Sequence, residues 1–85
     1  MNINIEIPDY SSVDGFRYDW CRNFQITTYL KNGVFVLKAN KEGLESLAKQ
    51  LLQLSQDEIP KGFHLHYDEY NSLEDQSLDF IIEKE

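Results

Sequence analysis

The sequence predicts a two-layer α+β domain in which an antiparallel sheet of about five strands packs on one amphipathic helix. Three features predict it: alternating apolar and polar runs toward both ends, an Asn-Gly pair between two β-prone stretches, and one segment of helical spacing between them. The expected order is β-β-β-α-β-β, or β-β-β-β-α-β-β if every alternating run forms its own strand. With 85 residues, 41% of them hydrophobic, the chain can build one core, so residues 1–85 are read as a single domain.

Residues 2–7, Asn2-Ile3-Asn4-Ile5-Glu6-Ile7, place three isoleucines on one face of an extended strand, and Pro8 ends it by removing a backbone donor. Ser11-Ser12-Val13-Asp14-Gly15 reads as a turn. Phe16, Tyr18 and Trp20 then alternate with Arg17, Asp19 and Cys21, which predicts a second strand. From Phe24 to Leu30 the chain is aromatic and β-branched, and Asn32-Gly33 supplies the two positive-φ positions of a type I′ hairpin turn. Val34-Phe35-Val36-Leu37 should return antiparallel. Its apolar residues on both faces imply an interior strand, or a second face that meets a partner such as another copy in a homodimer.

Asn40 is a good N-cap, Glu42 adds an acid to the first turn, and Leu44, Leu47, Ala48, Leu51, Leu54 and Ser55 keep helical spacing, predicting a helix over 41–56. Asp57 to Gly62 ends it. Phe63-His64-Leu65-His66-Tyr67 alternates as a further strand, residues 68–77 form an acidic loop, and Leu78, Phe80 and Ile82 share one face of a final strand.

The formal net charge of −7 lies entirely in residues 57–85, which hold nine acids against two lysines, whereas residues 1–56 hold six of each sign. With a pI near 4.6, such a surface opposes nucleic-acid phosphates and anionic lipid and attracts a basic protein. A single cysteine, Cys21, allows no internal disulfide, and no apolar run is long enough for a membrane span. The expectation is a cytoplasmic protein with no cofactor, no nucleic-acid partner and no membrane partner.

Reactive groups are sparse. His64, His66 and Asp68 share a strand face, and His-x-His with a carboxylate is a zinc or iron donor pattern. It lacks a further ligand unless Cys21, Glu69 or Glu74 converges on it, so a small metalloprotein or metal-dependent enzyme is the alternative reading and no metal is assigned. Asp68, Glu69, Glu74 and Asp75 on a polar loop read as a solvated surface rather than an acid/base pair. Cys21 lacks a helix start or glycine turn to present it as a nucleophile, and Phe16, Tyr18, Trp20 and Phe24 read as core in so acidic a chain. The tyrosines and acids of the 67–75 stretch suit a protein interface, which makes a non-enzymatic binding role the first reading and a homo-oligomeric structural domain a further alternative.

Asn40-Lys41-Glu42-Gly43-Leu44-Glu45-Ser46-Leu47-Ala48, the run His64-Leu65-His66-Tyr67-Asp68-Glu69-Tyr70-Asn71-Ser72-Leu73-Glu74-Asp75, Ser77 and Ile81-Ile82-Glu83-Lys84 resemble the immunity protein 32 family of bacterial polymorphic toxin systems. The resemblance spans about residues 38–84. It implies a protein that binds and neutralises a toxin encoded beside it, with His64, His66, Asp68, Glu69, Tyr70, Asn71, Glu74 and Asp75 as partner-binding candidates. A nuclease whose basic groove accepts the acidic loop in place of phosphates would suit this charge. Members of that family tend to carry glycine where this chain has Gln76.

Overall fold

The computed structural model describes residues 1–85. The elements are β1 (Ile26–Lys31), β2 (Val34–Ala39), α1 (Lys41–Leu54), β3 (His64–Tyr67) and β4 (Phe80–Glu83). β1 and β2 form the Asn-Gly hairpin, with φ of 51° at Asn32 and 78° at Gly33, and pair in register from Ile26 opposite Ala39 to Lys31 opposite Val34. β3 and β4 form a second antiparallel pair, from His64 opposite Glu83 to Tyr67 opposite Phe80.

The α+β class stands, but the single layer of about five strands is corrected to two two-stranded sheets. Neither residues 2–7 nor residues 16–21 form a strand. The alternation at Phe16, Tyr18 and Trp20 reports facing rather than pairing: Phe16 lies 5.9 Å from Phe63 between ring centroids, and Tyr18 and Trp20 lie 6.4 and 6.2 Å from Tyr67. The backbone of this segment is held by side chains of α1 instead of a ladder. Cys21 N–H donates to Ser46 Oγ at 2.8 Å, and Gln50 and Gln53 donate to the Asp19 and Arg17 carbonyls at 3.3 Å. Just past the helix, Gln56 Nε2 donates to the Pro8 carbonyl at 2.9 Å. Side chains of the helix and of Gln56 thus satisfy four backbone groups that a neighbouring strand would otherwise have to pair.

β2 is correspondingly an edge strand, paired only with β1, rather than an interior one. The far edge of β1 is occupied by loop backbone: Glu74 N–H donates to the Ile26 carbonyl at 2.9 Å and Leu78 N–H to that of Thr28 at 3.3 Å. Thr28 completes the seam, its amide donating to Ser77 Oγ and its hydroxyl to the Leu78 carbonyl.

Asn40 caps α1 as expected, Oδ1 accepting from Gly43 N–H at 2.8 Å and also from Gln25 N–H at 3.0 Å. The buried stripe differs from the expected one: Gly43, Ser46, Leu47, Gln50, Gln53 and Leu54 face inward, while Leu44, Ala48 and Leu51 are exposed. Close approach causes this rotation. A Cβ at residue 43 would sit 2.7 Å from the Gln25 carbonyl oxygen and 3.0 Å from an Ile26 side-chain carbon, so only glycine lets the helix lie this near β1. Beyond the helix, Lys84 Nζ donates to the carbonyls of Gln56 and Ile59 and ties the end of the helix to the strand pair. The core cluster is Ile26, Leu47, Leu54, Ile59, Leu65, Tyr67 and Leu73, and β2 and β4 pack against it through the partly buried Leu37, Ala39, Phe80 and Ile82.

Gln76 stands at φ 68°, the left-handed region in which glycine is at ease, with its N–H donating to Glu69 Oε2 at 3.1 Å. A β-carbon costs ~1–2 kcal/mol there, partly offset by the larger entropy glycine loses on folding. Gln76→Gly is therefore expected to stabilise the fold by about 0.5–1 kcal/mol and raise the thermal midpoint by a few degrees in a calorimetric scan.

A candidate partner-binding surface

The even positions of β3 point outward and the segment that follows is locked by its own side chains. Asp68 Oδ1 accepts from Tyr70 N–H at 2.9 Å and Asn71 N–H at 3.0 Å. Asn71 returns the bond, Oδ1 accepting from Asp68 N–H at 3.1 Å and Nδ2 donating to the His66 carbonyl at 2.9 Å. Asx-type bonding of this kind is what short amide and carboxylate side chains do at turns. Ser72 and Leu73 are buried beneath it, so the acidic loop is a pinned cap over the core.

This geometry divides the eight expected contact residues. Asp68, Glu69 and Asn71 shape the loop through bonds to its backbone, whereas Glu74 and Asp75 hold their carboxylates at the exposed surface. Tyr70 is presented at the tip with 91% of its surface exposed. On a loop held this way the backbone entropy of ordering is already spent and only the Tyr70 side chain remains to be fixed, which favours it as an anchor for a partner. His64 is exposed, its Nδ1 3.4 Å from the Gly62 carbonyl oxygen, and takes no part in the cluster around His66.

That cluster contains a residue the sequence reading missed. His66 Nε2 lies 3.5 Å from Asp79 Oδ2, and one donor atom each of His66, Asp68 and Asp79 fall within 4.8 Å of one another. Asp79 comes near Asp68 because the two flank the last register pair, Asp68 following Tyr67 and Asp79 preceding Phe80. The signal was present in the alternation of the last strand, where Asp79 falls on the face opposite Leu78 and Phe80. Chemically the trio could receive a cation, although His64 of the His-x-His pattern is not part of it. Tyr18 and Trp20, expected to be wholly core, border a hollow of about 420 Å³ together with His66 and Asn71. Burial raises the Tyr18 phenol above its ordinary value.

Residues 34–85 match the family model described as Immunity protein 32. No curated protein and no solved structure matches the chain.

Proposed function

Because this chain belongs to the immunity protein 32 family, we propose that it binds and neutralises a cognate bacterial toxin through the face carrying His64, His66, Tyr70, Glu74 and Asp75. The observation that carries the choice of face is the pinned loop, which presents Tyr70 and a field of carboxylates on a backbone already held in place. Carboxylates around an exposed tyrosine steer a basic partner and then seat an aromatic anchor. The toxin is read as a protein with a basic surface. The immunity protein is read as acting by binding alone, in the cytoplasm of the cell that makes the toxin.

The test is binding to the toxin encoded beside this gene. Glu74→Gln, Asp75→Asn and Asp79→Asn together should slow association by about tenfold at low salt and flatten its salt dependence, since exposed charges act mainly on encounter. Tyr70→Ala should instead speed dissociation by about tenfold or more while leaving the melt of the free protein unchanged. Stopped-flow rates equal to wild type in both variants would refute this face. Asp68 and Asn71 are kept intact because their loss would deform the loop.

A further inference from the structure

We propose that the hollow between Tyr18, Trp20, His66 and Asn71 is a receptor for an arginine side chain of the toxin. This rests on the toxin-binding reading and deepens it by naming the chemistry of one contact. The walls are aromatic and held from behind: Tyr18 and Trp20 each meet Tyr67 edge-on, and Trp20 stacks on Phe24 with ring centroids 4.4 Å apart. Tyr18 keeps 44% of its surface exposed, which leaves part of it open to a ligand.

The Asn71 amide donates to the His66 carbonyl and its Oδ1 accepts from both Asp68 N–H and the Ser72 hydroxyl, so it forms a wall and leaves no free acceptor. Negative charge comes from Asp79, 3.5 Å from His66 Nε2, and from Asp68, whose carboxylate shares the same cluster. These two acids face each other across the end of the β3–β4 pair, an arrangement that repels, and neither pairs with a lysine or arginine of this chain. A planar guanidinium answers both features, stacking on the rings and forking its donors to two oxygens. A lysine ammonium is a hydrated point charge that uses the rings less well, and a metal ion would leave them unused.

The experiment titrates the full ¹⁵N-labelled chain with N-acetyl-arginine amide, its lysine and leucine counterparts, and zinc, following the Trp20 indole and Asn71 side-chain amide signals. Arginine should give saturable shifts, with lysine at least about threefold weaker and leucine silent. Asp79→Asn and Tyr18→Leu should each weaken the arginine response by about fivefold; the Asp79 side chain is 62% exposed, so that variant keeps the test valid even if Tyr18→Leu misfolds. Equal responses to all three amides, no saturation with arginine, or a saturable response to zinc alone would overturn the proposal. Wild-type affinity for the toxin in Asp79→Asn and Tyr18→Leu would exclude the hollow yet leave toxin binding standing, whereas a wild-type chain that ignores the toxin would remove that reading itself.

Discussion

Leu47→Asp is expected to abolish cooperative folding at room temperature. Leu47 is 7% exposed and belongs to the core cluster with Ile26, Leu54, Leu65 and Tyr67. Truncating a buried leucine alone costs about 2–5 kcal/mol, and an unpaired carboxylate in its place adds the cost of stripping its water. Small domains hold only about 5–15 kcal/mol in total, and this chain buries just 13 of its 85 residues, which places it at the low end. Leu44→Asp is the informative control. Leu44 sits one turn away at 54% exposure and should melt within about 0.5 kcal/mol of wild type. A circular-dichroism melt showing the reverse order would mean that the helix buries its other face.

Tyr67 carries the second large effect. It is fully buried, stacks on Phe80 with ring centroids 4.7 Å apart, and donates its hydroxyl to Gln50 Oε1 at 2.7 Å. Gln50 in turn holds the Asp19 carbonyl, so Tyr67 supports the helix, the strand pair and the unpaired segment at once. Tyr67→Ala should cost about 3–5 kcal/mol, as for other buried aromatics. Tyr67→Phe keeps the packing and strands Gln50 Oε1 without its donor, a loss of about 1–3 kcal/mol by urea titration.

The same residue sets an alkaline limit. Burial, and secondarily the charge of an ionised Tyr18, push the Tyr67 phenol well above its ordinary value of 10.0. Below pH 10 the phenol is neutral in both folded and unfolded chains, and its contribution to stability is fully present. Above pH 10 the unfolded chain ionises first, so stability falls as pH rises. Urea midpoints of wild type should decline in that range more steeply than those of Tyr67→Phe.

Much of this fold was legible where local chemistry decides. Asn32-Gly33 demanded positive φ and became the hairpin turn, and Asn40 became the cap of α1. The alternation of Phe63 to Tyr67 correctly sent Leu65 and Tyr67 inward and both histidines outward. Elsewhere periodicity was ambiguous in kind. Phe16, Tyr18 and Trp20 alternate because they pack on the core, yet an extended segment needs backbone partners and not a neighbouring strand in particular; Ser46, Gln50 and Gln53 supplied them. The leucine stripe of α1 was displaced because helix approach is governed by the smallest residue, Gly43, and not by the most apolar ones.

The sequence by itself determined the α+β class, the hairpin, the helix with its cap, the localised acidity and the family to which the chain belongs. Those properties depend on residues near one another in the chain. Tertiary structure alone decided that the strands form two separate pairs, that Asp68 and Asn71 build the loop while Tyr70 is displayed on it, and that Asp79 joins His66 beside an aromatic hollow. Each of these joins distant segments or settles a competition for the same backbone groups, and local propensity carries no information about which competitor wins.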